Sequence, residues 1–131
     1  MADDLEWQAE SIPDADDTYM RVHRTWFRGS MLLPGIFKPR GGGMSVDWAK
    51  YSTPNETRQR ARRDPLENAV ISLAVAKIRN IKNLDVQHTP HRTPESPNRA
   101  HCDVVGMPDP GEDLTEVRAA LGDIALVVIA L

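Results

Sequence analysis

The sequence predicts an α+β domain that consists of a small, mainly antiparallel sheet, a surface helix near residues 54–62 and an amphipathic C-terminal helix. Short segments rich in β-branched and aromatic residues predict strands at residues 18–27, 44–48, 84–88 and 100–105. Sequences typical of helix N-termini precede residues 54, 65 and 114. A hydrophobic stripe with helical spacing follows the last of these.

The composition fits one globular domain able to bury a core, with 131 residues of which 40% are hydrophobic and 27% are charged. The single cysteine, Cys102, excludes an internal disulfide and argues against an oxidised, secreted scaffold. No apolar run reaches the roughly 18 residues that span a bilayer. The acidic N-terminus lacks the features of a signal peptide. We therefore expect a cytoplasmic protein.

Charge is distributed unevenly along the chain. Residues 1–17 contain seven Asp and Glu residues and no Lys or Arg, although the net charge of the whole chain is only −3. This predicts an acidic N-terminal arm over residues 1–17 and a single α+β domain over residues 18–131. The arm either screens a basic face of the domain or is a solvated terminus. Leu5, Trp7 and Ile12 could dock it onto the domain.

The first predicted strand places Met20 and Val22 on one face and Tyr19, Arg21 and His23 on the other. Turns follow at residues 28–30 and 34–35, and Ile36-Phe37 forms a short extended piece. Residues 41–43 are three glycines, which predict a flexible connection. Their backbone amides could approach a phosphate, but no Lys-Ser/Thr pair or immediate helix follows them. Residues 44–48 then alternate as a strand with one solvated face.

Two segments carry the same helix-start signal. Thr53-Pro54-Asn55-Glu56 predicts a capping box with proline at the first helical position. The polar composition of residues 54–62 places this helix on the surface. Asp64-Pro65-Leu66-Glu67 predicts a second helix start, for a single turn or a longer helix. Residues 69–81 fit a strand or a helix, and their β-branched content favours the strand.

The C-terminal segment predicts one amphipathic helix. Asp113-Leu-Thr-Glu116 has the spacing of a capping box. Gly122 interrupts the helix at a cost of about 1 kcal/mol relative to alanine. The apolar stripe comprises Leu114, Val117, Leu121, Ile124, Val128 and Leu131.

Residues 88–103 hold three of the four histidines and the only cysteine, and they form a proline-rich loop between two strands that we expect to pair. His88, His91 and His101 are the candidate ligands if the chain binds zinc. His101 and Cys102 cannot both ligate without a bulge, because adjacent strand residues point to opposite faces. The alternative is a stiff surface loop in which His101 is a buried, hydrogen-bonded core residue. We predict no metal and no cofactor.

Basic side chains supply the candidate binding residues. Arg21 and Arg24 of the first strand could clamp a phosphate. The arginines of the surface helix fan around its axis, which fits an acidic protein partner, nucleic acid or simple solvation. The full set is Arg21, Arg24, Arg58, Arg60, Arg62, Arg63, His91, Asn98 and Arg99.

The segment Met20-Arg-Val-His-Arg24 resembles the first strand of small bacterial ADP-ribosyltransferase toxins, in which an arginine contacts NAD. This resemblance covers five residues and implies an enzyme that handles a nucleotide. The tyrosine and glutamate patterns of those enzymes have no counterpart that can be placed in the sequence.

The sequence favours a small binding or accessory protein over an enzyme, because spacing alone assembles no set of nucleophile, base and orienting group. Its basic face and histidine- and proline-rich loop would recognise a protein or a polyanionic partner. A protein is the first expectation, nucleic acid the second, and no membrane is expected; the oligomeric state is left open. The alternative is an enzyme acting on a phosphate-containing small molecule or nucleotide, with His23, His88 and His101 as proton-transfer residues.

Overall fold

The computed structural model describes residues 5–39 and 43–131. Six strands form one antiparallel sheet, and they are β1 (Asp17–His23), β4 (Met44–Trp48), β5 (Asn68–Ala74), β6 (Asp85–His88), β7 (His101–Val105) and β8 (Leu126–Ile129). Their order across the sheet is β6-β7-β4-β1-β5-β8. A small hairpin pairs β2 (Phe27–Arg28) with β3 (Met31–Leu32). The helices are α1 (Pro54–Gln59), α2 (Val75–Asn80) and α3 (Glu112–Ile124). The predicted α+β class is confirmed.

The two faces of the sheet differ in chemistry. The alternation predicted for β1 is confirmed, because Met20 and Val22 are buried in the hydrophobic core. The core also takes Val46 of β4 and Cys102 of β7, and α2 and α3 contact β5 beside it. The polar residues of the same strands lie on the opposite face. The short helix α1 packs against β1 and β5 there.

Helix α1 is held by the capping box that the sequence predicts. The Thr53 hydroxyl accepts a hydrogen bond from the Glu56 amide, and the Glu56 carboxylate accepts one from the Thr53 amide. The helix ends at Gln59, three residues earlier than predicted. Asp64 does not cap a helix as Thr53 does, contrary to the prediction. It has φ 39°, its side chain makes no cap bond, and only a 3₁₀ turn follows over Pro65–Glu67.

Residues 69–81 contain both of the predicted alternatives in succession. Strand β5 runs to Ala74, and α2 begins at Val75. All residues from Asn68 to Leu73 are buried, because β5 lies inside the sheet between β1 and β8. The apolar run therefore covers a buried strand followed by a short helix, which explains why its periodicity fits both structures.

The prediction of one helix to Leu131 is wrong. Helix α3 ends at Ile124, and β8 pairs antiparallel with β5. The reason is tertiary, since the backbone of β5 needs hydrogen-bond partners on its second side and β-branched residues suit a strand. The capping box at Asp113 is also wrong. The helix begins at Glu112 after Gly111, with no side-chain cap bond.

The N-terminal segment from Leu5 to Asp16 lies across the domain. Ile12 is buried in the core, and the Leu5 amide donates to the Arg92 carbonyl oxygen at 2.6 Å. Within residues 5–39 and 43–131, no helix combines the length and the apolar character that crossing a membrane requires.

Candidate functional site

A cavity of about 550 Å³ opens on the polar face of the sheet. Its floor is formed by β1, β4 and β7, one wall by α1 and the residues that follow it, and the other wall by the loop before β7. Eight of the residues predicted for binding or catalysis line it. They are Arg21, His23, Arg60, Arg62, Arg63, His91, Asn98 and His101.

Strand register explains why distant residues meet there. Tyr19 of β1 pairs with Asp47 of β4, and Asp47 pairs with His101 of β7, so the three form a row across the sheet. Arg21 lies two residues after Tyr19 on β1, and Ser45 lies two residues before Asp47 on β4. Because β1 and β4 are antiparallel, both residues lie in the same direction from this row. All five side chains share the polar face, since strand residues two apart lie on one side.

Asp47 is the buried anion that joins the walls of the cavity. Its Oδ2 accepts hydrogen bonds from Thr57 Oγ1 at 2.9 Å and from Arg60 Nη1 at 2.8 Å. Its Oδ1 accepts one from Asn98 Nδ2 at 2.9 Å. Only 5% of Asp47 is exposed, so these partners compensate for the cost of burying its charge. A single carboxylate therefore holds both α1 and the histidine loop against β4.

His101 is fixed on the cavity floor by three neighbours. Its Nδ1 lies 2.9 Å from the carbonyl oxygen of Thr89 and 3.0 Å from the Thr89 hydroxyl. Its Nε2 lies 3.1 Å from Ser45 Oγ. His91 stacks on the ring, with centroids 3.7 Å apart and planes 23° apart. Burial and the neighbouring His101 lower the pKa of His91.

Positive charge in the cavity exceeds negative charge. Arg60 is paired with Asp47. Within residues 5–39 and 43–131, no carboxylate forms a salt bridge with Arg21, Arg62 or Arg63. Burial lowers the pKa of Arg21, whose Nη1 donates to the Thr57 carbonyl oxygen at 2.8 Å. The cavity thus presents three guanidinium groups that form no salt bridge within the described chain.

Three predicted binding arginines serve other contacts. Arg24 forms a salt bridge with Glu67. Arg58 Nε donates to the carbonyl oxygens of Pro65 and Asn68 at 3.0 Å each, and so fixes the turn after α1. The Arg99 guanidinium lies 4.3 Å above the ring of Tyr51. None of the three lines the cavity.

The three histidines considered as zinc ligands do not converge. His88 of β6 pairs with Cys102 of β7, whose side chain lies in the core. His88 therefore lies on the core face of the sheet, whereas His101, the residue before Cys102, lies on the polar face. Its Nδ1 accepts from the Glu10 amide at 3.0 Å, and its Nε2 lies 2.6 Å from the Arg99 carbonyl oxygen. The described chain contains no group of three or more His, Cys, Asp or Glu side chains that could hold a metal ion. The same placement removes His88 from the candidate acids and bases of the cavity.

Residues 5–17 of the acidic N-terminal segment do not line the cavity. Glu10 Oε1 accepts from Lys50 Nζ at 2.6 Å, and Glu10 Oε2 accepts from the Tyr51 hydroxyl. Asp16 Oδ2 accepts from Trp48 Nε1 at 2.8 Å. Asp14 pairs with Arg79. These carboxylates fasten the segment to the domain, whereas Asp3 and Asp4 lie outside the described residues.

Several cavity residues were not singled out by the sequence. Ser45, Asp47 and Thr57 lack any motif, although the alternation of residues 44–48 does predict a shared solvated face for Ser45 and Asp47. The proposed phosphate contact of the three glycines falls partly outside the described residues, at Gly41 and Gly42. A Cβ on Gly43 would lie 2.9 Å from the Val104 carbonyl oxygen, so this glycine allows close packing of β7.

Comparison of the chain with protein-family models, with curated proteins and with solved structures gives no match. The likeness of residues 20–24 to ADP-ribosyltransferase toxins stays a prediction.

Proposed function

We propose that this chain is a cytoplasmic binding protein whose ligand is a small phosphate-bearing molecule, such as a nucleotide, held in the arginine-rich cavity. One observation carries the proposal. Arg21, Arg62 and Arg63 meet in one concave site without a carboxylate partner in the described chain. Guanidinium groups bind phosphate oxygens in a bidentate manner, and an anion there would supply the missing counter-charge.

The size and lining of the cavity support a small ligand. A volume of about 550 Å³ lies within the range of roughly 300–1,000 Å³ that is typical of small-molecule sites. His91 and Asn98 of the proline-rich loop add hydrogen-bonding groups beside the arginines. The basic face and the loop, which the sequence predicts as one recognition surface, thus both contribute to the cavity.

Isothermal titration calorimetry with inorganic phosphate, pyrophosphate and adenosine monophosphate tests this proposal. Arg21→Ala and the double variant Arg62→Ala/Arg63→Ala should each weaken the binding of the best of these ligands by about 10- to 100-fold, the equivalent of about one charge-assisted hydrogen bond. Arg28→Ala is the matched control, because Arg28 is exposed on β2 and does not line the cavity. Equal affinity in all of these proteins would contradict the proposal.

A protein partner is the second candidate, and the exposure of Arg62 and Arg63 favours it. An acidic protein segment could bind these two arginines at the rim without entering the cavity. In that case Arg62→Ala/Arg63→Ala would abolish binding of a poly-glutamate peptide, while Arg21→Ala would leave it unchanged. Loss of phosphate binding in both variants would favour the small ligand instead.

A further inference from the structure

The tautomer of His101 follows from its neighbours. The Thr89 carbonyl oxygen, 2.9 Å from Nδ1, can only accept a hydrogen bond. The neutral imidazole must therefore carry its proton on Nδ1. Its Nε2 is left with a lone pair that faces Ser45 Oγ at 3.1 Å, so the Ser45 hydroxyl donates to it.

This arrangement is the geometry of an activated nucleophile. A hydroxyl lies within hydrogen-bonding reach of a base, and the base is oriented on its far side by a third group. Here the third group is a backbone carbonyl, supported by the Thr89 hydroxyl at 3.0 Å. Ser45 is exposed and lines the cavity, whereas His101 is only 8% exposed and held by β7.

We propose that Ser45 is a nucleophile toward the phosphorus of a phosphate ester bound in the cavity, with His101 as its general base. This inference rests on the proposed function, because it takes the same phosphate-bearing ligand and names the reaction. Arg21 lines the same cavity on the same face of the sheet, where its guanidinium can stabilise the charge that develops on the non-bridging phosphate oxygens.

The reaction balances without a metal or a redox partner. Ser45 Oγ forms a bond to phosphorus while its proton passes to His101 Nε2. The bond between phosphorus and the leaving oxygen breaks, and that oxygen takes the proton from His101. Water then attacks phosphorus, gives a proton to His101, and releases Ser45, which recovers its proton from the imidazole.

Tyr19 and Ser96 also line the cavity, but within the described chain neither of their hydroxyls forms a hydrogen bond with an imidazole. Thr57, the buried residue of α1, donates from Oγ1 to Asp47. Cys102 lies on the core face, and burial raises the pKa of its thiol to about 12. Among the described residues that line the cavity, Ser45 is the one whose hydroxyl lies at hydrogen-bonding distance from an imidazole nitrogen.

The test measures release of 4-nitrophenolate from 4-nitrophenyl phosphate, a monoester, and from bis(4-nitrophenyl) phosphate, a diester. The wild-type protein should turn over at least one of them about 100-fold faster than Ser45→Ala, and also about 100-fold faster than His101→Gln. Ser30→Ala, an exposed serine outside the cavity, is the matched control and should keep the wild-type rate. The preferred ester identifies the substrate as a monoester or a diester.

If His101→Gln does not fold by circular dichroism, the pH profile of the wild-type protein replaces it. The rate should fall in acid, because a protonated imidazole cannot accept the Ser45 proton. A flat profile would overturn the role of His101. Equal rates in wild type and Ser45→Ala would overturn the role of Ser45.

Two further outcomes separate this inference from the proposed function. Wild-type protein that binds phosphate by calorimetry but releases no nitrophenolate would overturn the catalytic inference and leave the binding proposal intact. Ser45-dependent turnover of 4-nitrophenyl acetate alone would show acyl transfer and would overturn the assignment of a phosphorus substrate.

Discussion

The guanidinium of Arg60 donates from one nitrogen, Nη1, to Asp47 Oδ2 at 2.8 Å, and so ties the segment after α1 to the middle of the sheet. The same nitrogen also donates to Ser52 Oγ at 2.8 Å. Asp47 in turn holds Asn98 of the histidine loop. The two walls of the cavity therefore depend on one buried carboxylate.

Replacing Asp47 with Asn should destabilise the protein by about 3 kcal/mol, because it leaves the Arg60 charge partly buried without its partner. The 28% exposure of the Arg60 side chain keeps the effect at the lower end of the range for buried pairs. Urea denaturation measures the change as a lower midpoint. Asp109→Asn, at an exposed loop position, is the control and should change stability by less than about 0.5 kcal/mol. Equal stability of the two variants would show that Asp47 does not join the walls.

Thr53→Ala should cost about 1 kcal/mol, because it removes the side-chain acceptor of the capping box that starts α1. Since α1 forms a wall of the cavity, the same change should weaken phosphate binding slightly. Thermal unfolding followed by circular dichroism gives the stability change. Asn55→Ala, an exposed position in the same helix, should be neutral or slightly stabilising. A Thr53→Ala protein as stable as Asn55→Ala would contradict the role of the cap.

Substitution of glycine by alanine should have opposite effects on stability at two positions. Gly106→Ala should destabilise by at least about 2 kcal/mol, because φ is +91° and the added Cβ would lie 1.9 Å from the Asn83 carbonyl oxygen. Gly122→Ala should stabilise by up to about 1 kcal/mol, since Gly122 lies within α3 and the added Cβ would meet no atom within 4 Å. Denaturant midpoints of the two variants should move in opposite directions. A shift of both in the same direction would be inconsistent with this backbone.

Cys102 should resist alkylation in the native protein. It is fully buried, and a thiol pKa of about 12 leaves almost no thiolate at pH 8. Mass spectrometry after treatment with iodoacetamide at pH 8 should show no adduct in buffer and complete reaction in guanidinium chloride. Rapid alkylation of the folded protein would contradict the buried position of this residue.

The pKa of His91 should lie below its ordinary value of 6.5, because desolvation of the ring and the neighbouring His101, on which it stacks, both disfavour the charged form. The folded protein then binds this proton less readily than the unfolded chain. The contribution of His91 to stability is thus fully present above pH 6.5 and declines as pH falls from 6.5 through the lowered pKa. An NMR titration of the His91 ring measures the midpoint. Phosphate bound beside the ring should raise it, and a midpoint above 6.5 without phosphate would contradict the stacked arrangement.

Local patterns in the sequence predict much of the fold. The alternation in residues 18–23 separates the core face from the polar face of β1, and Thr53-Pro54-Asn55-Glu56 predicts the start of α1. Both follow from local backbone geometry, the twofold alternation of a strand and the cap of a helix. The C-terminal strand is different, because β8 exists only where the edge of β5 offers hydrogen-bond partners. The helical spacing of the apolar residues up to Leu131 carries no information about that edge.

The candidate site divides in the same way. The composition of the sequence indicates that arginine and histidine side chains would form the site. The alternation of residues in the first strand places Arg21 and His23 on one side of it. Only the tertiary structure decides that β1, β4 and β7 lie side by side, with Asp47 opposite both Tyr19 and His101. Strand register also sends His88 to the core face and brings Ser45 to the imidazole of His101. Register is set by pairing between segments far apart in the chain, and a one-residue shift would exchange the two faces.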